Sequence, residues 1–190
     1  IRKFSLSLEN SFDKISRLAD GRKTDVNIEA SMMCGNYDII LSSYIKAYSN
    51  GISSSDISRL AKALGDFALR DAIVHTKADF RSRIDNQFKK FTSSVDIVIN
   101  RIEELKRATD YWSSFWSNKA ITPIIEGNWN ANTHRLAKII LWKYENYLIA
   151  EDGKDGYSPI RYDSIENPHL EHIAPKTENE EKRLLVMTRT

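Results

Sequence analysis

Along the first 150 residues, apolar side chains recur at steps of three and four, the spacing of a helix face. Phe4, Leu8, Phe12, Ile15 and Leu18 form a first stripe, which fades at Asp20-Gly21. Tyr37, Ile40, Leu41, Tyr44, Ile45 and Tyr48 form a second, closed by Asn50-Gly51 as a left-handed stop. Ser53-Ser54-Ser55-Asp56 then offers N-cap chemistry for a third helix through Ile57, Leu60, Leu64 and Phe67. That stripe extends through Ile73, Phe80, Ile84, Phe88 and Phe91, with a break expected near His75-Thr76.

Ser93-Ser94 starts a further helix, with Ile97, Val98, Ile102 and Leu105 expected to face inward. Tyr111, Trp112, Phe115 and Trp116 predict a short aromatic helix, and Thr122-Pro123 with Glu126-Gly127-Asn128 punctuate a connection. Asn132 or Thr133 caps a last long helix, in which Leu136, Ile139, Ile140, Trp142, Tyr144, Tyr147 and Leu148 leave little polar face. Such a helix is expected to be central. After Ala150 the composition changes. Residues 151–156 read as a polar, glycine-bearing linker. Tyr157, Ile160 and Tyr162 suggest a short extended piece that Pro159 restricts to a sheet edge. Residues 170–173 and 184–187 read as strands. The expected organisation is an α-helical domain over 1–150 and a separate segment over 151–190.

A chain of 190 residues is long enough to bury a core, and 41% hydrophobic with 28% charged residues is ordinary for a globular protein. No apolar run approaches the roughly 18 residues of a membrane span. A single cysteine, Cys34, rules out an internal disulfide framework and cannot build a zinc site alone, so a cytoplasmic, reducing setting is expected. The opening Ile1-Arg2-Lys3-Phe4 is neither a signal peptide nor an initiator, so a start inside a longer protein is expected. The net charge of +2 does not by itself announce a nucleic-acid binder. Residues 151–190 carry nine acidic and six basic side chains, leaving the first 150 positive by about five charges. A basic body beside an acidic, histidine-bearing end suits a metal site next to a phosphate-tracking surface, although surface charge varies along any chain.

The most chemically pointed stretch is Leu170-Glu171-His172-Ile173-Ala174-Pro175. Hydrolysis of a phosphodiester needs a divalent cation held by carboxylate and a base that works near neutral pH. Here a carboxylate and an imidazole are adjacent. Consecutive residues of a strand point to opposite faces, so the two converge only where the strand ends and the chain turns, a turn that Pro175 would supply.

This segment resembles the first motif of the HNH (His-Me finger) endonucleases, in which Asp-His-Ile-x-Pro or Glu-His-Ile-x-Pro opens a ββα metal fold. It is similar in particular to the C-terminal nuclease domain of GmrSD-type modification-dependent restriction enzymes, where a helical, tryptophan-bearing region leads into the motif. The residues carrying that likeness are Leu136-Ala137-Lys138-Ile139-Ile140-Leu141-Trp142-Lys143-Tyr144-Glu145 and Leu170 to Thr177. The resemblance implies a mainly α fold, a helical bundle followed by an incomplete ββα-metal (HNH-like) finger. It implies His172 as general base, Glu171 as metal ligand for Mg²⁺ or Mn²⁺, and Pro175 as a structural turn residue. It also implies DNA as substrate, an upstream nucleotide-hydrolysing domain of the same protein, and a role in restriction or host defence.

The motif is not complete as it stands. A finger of this kind closes with a second strand, a helix and downstream asparagine or histidine ligands. Fifteen residues follow Pro175, and Asn179 among them lies too close to return to the metal. This chain alone is therefore expected to be inactive.

Other candidates weigh less. His169 is a candidate phosphate contact, although a surface residue is the weightier reading, and His75 and His134 are expected to be structural. Trp112, Phe115, Trp116 and Trp142 could stack bases, yet their helical spacing without interleaved cations favours core packing. Arg81, Arg83, Lys89 and Lys90 could meet a DNA backbone, but Asp79 and Asp85 among them favour a solvated face. The competing function is a non-catalytic helical module that binds protein or DNA, with a degenerate nuclease finger.

Overall fold

Helices dominate the computed structural model, which describes residues 2–76, 78–89, 94–127, 131–152, 158–165, 169–173 and 184–188. In chain order they are α1 (Arg2–Thr24), α2 (Val26–Ser31), α3 (Tyr37–Ser49), α4 (Ser54–Val74), α5 (Phe80–Lys89), α6 (Asp96–Arg107), α7 (Asn118–Glu126) and α8 (Ala131–Asp152). Short 3-10 turns occupy Ser114–Trp116 and Tyr162–Ser164, and two strands follow, β1 (His169–Ile173) and β2 (Leu184–Thr188). The chain forms two compact units, Ile1–Trp129 and Asn130–Thr190. The division falls before α8, whereas the composition change lies at residue 150. The reason is that α8 is tied by side-chain hydrogen bonds to the segment after it, as described below.

In the first unit α4 is the central element. Ile57, Leu60, Leu64, Phe67 and Ala68 are all buried along it. Its periodic stripe makes it a helix, and Ser53 starts it by accepting a hydrogen bond from the Asp56 amide at 3.2 Å. Gly65 lets α2 approach closely, since a Cβ there would lie 3.2 Å from the Ser31 backbone N and Cα. The polar groups in this crossing are satisfied. Ser31 Oγ donates to the Ile28 carbonyl at 2.8 Å and lies 2.6 Å from the Tyr44 hydroxyl.

Below α4 an aromatic group closes the core. The Phe67 ring lies 4.6 Å from Phe80 and 5.0 Å from Trp116. The Trp116 indole N–H donates to Asp71 at 2.8 Å, and Asn36 donates to the other oxygen of that carboxylate at 3.1 Å. Arg70 reaches the Trp116 carbonyl at 2.9 Å and the Asn118 side chain at 2.8 Å.

Several boundaries differ from the sequence expectation. Helix α1 does not stop at Asp20-Gly21 but continues to Thr24, and Asp25 caps α2 instead, accepting from the Asn27 amide at 2.8 Å. Gly21 is a packing position, because a Cβ there would lie 3.0 Å from Ile28 Cδ1. The upper stripe of α1 stays in the open: Leu8, Phe12 and Ile15 are exposed, and burial begins at Leu18. Ile97, expected inside, is exposed, while Val98, Ile102 and Leu105 are buried as expected. Pro123 sits inside α7 rather than in a connection. It lies on the exposed side of a short helix, where a carbonyl left without its N–H donor is solvated. Tyr111 and Trp112 lie on a turn, not a helix, because Asp110 ties it: its side chain accepts from the Trp112 amide at 3.1 Å and its carbonyl from the Ser114 amide at 3.0 Å.

The break at His75 is as expected, with His75 left-handed at φ 51° and its amide bonded to the Asp71 carbonyl. Gly51 is left-handed at φ 67° after α3. Phe91, Ser93 and the linker residues 153–156 lie outside the described residues.

In the second unit, α8 buries Leu136, Ala137, Ile139 and Trp142 but exposes Tyr144, Tyr147 and Leu148. It thus buries one side, and the side left open carries apolar residues too. The segment after it is gripped by two side chains of α8. Trp142 donates its indole N–H to the Ile160 carbonyl at 2.6 Å. Asn146 accepts from the Ile160 amide at 2.7 Å and donates to its carbonyl at 3.0 Å. The Tyr162 ring then meets Trp142 edge-on at 5.5 Å. Beyond it β1 and β2 pair antiparallel, in the register His169 with Thr188 through Ile173 with Leu184.

Candidate functional site

The strand expected over residues 170–173 is present and starts one residue earlier, at His169. It pairs antiparallel with β2 along its whole length. Within that pairing Glu171 stands opposite Val186 and His172 opposite Leu185. Both therefore belong to regular strand. It runs one residue past them to Ile173, and the residues of the expected turn, Ala174 and Pro175, lie outside the described residues. His169 begins the strand opposite Thr188. Three residues of extended chain separate it from His172, about 10 Å along the backbone.

What fixes the approach to β1 is the double grip of α8 on Ile160. Asn146 uses its amide as both donor and acceptor on one backbone residue, so the direction of the chain leaving α8 is set by a side chain one turn after Trp142. The signal for it in the sequence is a lone Asn among Trp142, Tyr144, Tyr147 and Leu148. It is easily passed over, because a single amide does not disturb an apolar stripe.

A carboxylate is a hard oxygen donor and an imidazole is a base near neutrality, so Glu171 and His172 match the donor chemistry of a Mg²⁺ or Mn²⁺ hydrolytic site. Among the described residues, no group of three or more His, Cys, Asp or Glu side chains is placed to hold a metal ion.

The remaining candidates sort by burial and pairing. Trp116 and Trp142 are core residues, whereas Trp112 is 69% exposed and Tyr111 75% exposed, their rings edge-on at 5.1 Å. Of the basic run on α5, Arg81 is paired with Asp38 and Lys89 with Asp85, which makes them a solvated, neutralised face; Lys90 lies outside the described residues. Arg83 Nε is buried with no hydrogen-bond partner among the described residues. An open cleft of about 750 Å³ at the end of α6 is lined by Arg101, Glu103, Glu104, Arg107 and Asp110 among others. Its charges are mixed, with Glu103 held by Lys106 at 2.6 Å and by Arg107 at 3.7 Å, so no catalytic set converges there. No helix among the described residues is long and apolar enough to cross a membrane.

Comparison of the chain with family models, with curated proteins and with solved structures finds no match.

Proposed function

We propose that this chain is part of a metal-dependent DNA endonuclease of the HNH (His-Me finger) type, in which residues 151–190 hold the beginning of a ββα finger. The observation that carries this reading is the order Glu171-His172-Ile173-Ala174-Pro175, with its first three residues on a strand paired antiparallel to a second. In the proposed reaction His172 takes a proton from water, and the water oxygen forms a bond to phosphorus. The phosphorus–oxygen ester bond on the far side breaks, and its oxygen is protonated by solvent. Glu171 would hold Mg²⁺ or Mn²⁺, whose positive charge would stabilise the charge developing on the phosphate. His169 is a candidate contact for a flanking phosphate, and Pro175 the residue that turns the chain. The wider setting, a GmrSD-like restriction protein with a nucleotide-hydrolysing domain upstream, rests on the resemblance of the motif alone, and a cytoplasmic location on the single cysteine, Cys34.

The test is nicking of supercoiled plasmid by the full-length protein, with Mg²⁺ or Mn²⁺ and with chelator, in wild type and His172→Ala. Metal-dependent nicking that disappears in H172A with DNA binding retained is the expected result. Nicking that survives H172A removes His172 from the mechanism.

A second reading, a non-catalytic helical interaction module, is favoured by the exposed apolar residues Leu8, Phe12 and Ile15 on α1 and Tyr144, Tyr147 and Leu148 on α8. Absence of metal-dependent nicking by the full-length protein would favour it.

A further inference from the structure

Helix α8 leaves one apolar face open. Tyr144, Tyr147 and Leu148 are exposed, the two tyrosines to 56% and 54%. Their rings lie stacked, with centroids 6.4 Å apart and planes 21° from parallel. Ile140 and Leu141, one turn earlier, are half-buried. The spacing of these five residues, three and four apart, puts them on one side of the helix. Tyr144 is two residues from Trp142 and two from Asn146, which is close to half a rotation from each. The open face is therefore the one turned away from the grip on Ile160. Single apolar residues on a surface are ordinary, whereas a contiguous patch marks a contact surface.

The charges of α8 describe what fits against that face. Residues 131–143 carry Arg135, Lys138 and Lys143 and no acid, and residues 144–152 carry Glu145, Glu151 and Asp152 and no base. This order runs against the helix dipole, which favours acids at the N-terminus and bases at the C-terminus. The first turn has no acid and the last turn no base. A lone helix gains nothing from such an order. Two copies laid antiparallel gain from it at both ends, because each basic half then runs beside an acidic half. A parallel copy would set like charges side by side. An antiparallel alignment centred on Tyr144 also matches the apolar residues. Tyr144 meets its own copy, Leu141 stands level with Tyr147, Ile140 with Leu148, and Lys138 with Ala150, next to Glu151. Self-complementarity of this kind is what a two-fold interface between identical chains requires.

We propose that the open face of α8 is a homodimer interface, on which a second copy of this chain packs antiparallel about a two-fold axis at Tyr144. The inference concerns α8 alone and does not depend on Glu171 or His172.

The experiment is sedimentation velocity of the whole chain over a concentration series up to about 200 µM, a range that covers the weak association expected of a small interface. Wild type should pass from monomer to dimer within the series. Tyr144→Lys sets two ammonium groups together on the axis, and it should raise the dissociation constant at least roughly thirtyfold. Lys138→Glu should raise it about fivefold, because opposite charges are lost twice in a two-fold dimer, and adding Glu151→Lys should restore it. Phe12→Ser, on the exposed side of α1, should leave it unchanged. A chain that stays monomeric throughout overturns the proposal, and so does a dimer that survives Y144K. A dimer weakened by Y144K but indifferent to K138E, or not rescued by E151K, overturns the antiparallel pairing. Should Y144K fail to fold by circular dichroism, Leu148→Lys makes the same test from the neighbouring exposed position.

Discussion

Asn146 and Ile160 exchange two hydrogen bonds, side-chain oxygen from backbone amide at 2.7 Å and side-chain nitrogen to backbone carbonyl at 3.0 Å. A strand-like pairing is thereby formed between a helix side chain and a single backbone residue, and Trp142 adds a third bond to the same carbonyl. This contact joins α8 to the chain leading into β1, and it accounts for α8 belonging with the strands rather than with the helices before it.

Replacing Asn146 with Ala should therefore cost about 1–3 kcal/mol, because it strands the Ile160 amide in a partly buried place. Trp142→Phe removes one of two donors to the carbonyl, and its lost hydrogen bond should account for about 1 kcal/mol. Denaturant unfolding of both variants measures the difference. An unchanged midpoint for N146A would show that the grip contributes nothing.

Tyr44 links stability to alkaline pH. Burial pushes its phenol well above the ordinary value of 10.0, outweighing the Ser31 hydrogen bond, which acts the other way. A raised native value means that the protonated form is favoured by folding. The stabilisation is complete below pH 10 and is lost as pH rises from there toward the native value. Tyr44→Phe should cost about 1 kcal/mol at neutral pH, since Ser31 keeps its bond to Ile28. It should also flatten the loss of stability above pH 10. Some slope should remain, because burial raises Tyr48 as well, against the opposing charge of Arg17. Thermal melts from pH 7 to 11 test both statements.

The two neighbouring tryptophans should behave oppositely. Trp116→Ala opens a cavity under α4 and unpairs one side of Asp71, so a loss of about 3–5 kcal/mol is expected. Trp112→Ala, on the exposed turn, should stay within about 0.5 kcal/mol of wild type. Equal destabilisation by the two, read from urea midpoints, would contradict this packing.

Gly65→Ala should destabilise by about 1–3 kcal/mol although alanine is the better helix former. The added Cβ meets Ser31 backbone rather than a movable side chain. A gain in melting temperature would mean that α2 shifts freely, which the fixed Ser31–Tyr44 contact argues against.

Much of the helical body was legible in advance. The stripe from Ile57 to Phe67, the Ser53 cap and the left-handed stop at Gly51 are local features, so residue spacing alone identifies them. The two C-terminal strands were legible for the same reason, as was the adjacency of Glu171 and His172. What spacing could not show is which apolar residues are covered. Phe12 and Leu64 both belong to regular stripes, yet Phe12 is 66% exposed and Leu64 fully buried, because burial depends on what packs opposite. Gly21 misled as a helix end, since its small size serves the neighbouring Ile28 and not its own backbone.

The sequence by itself determined the mainly helical character, the Ser53 cap and the stop at Gly51, and the acid–imidazole pair near the C-terminus. These depend on contacts within a few residues, whose energetics are written in local order. The tertiary structure alone decided that α8 groups with the strands, that Trp112 is exposed while Trp116 is enclosed, and that Arg83 Nε finds no acceptor among the described residues. Each of those outcomes is set by groups 14 or more residues apart, as with Asn146 and Ile160, or Trp116 and Asp71 at 45. No periodicity in the chain encodes which distant side chain will arrive.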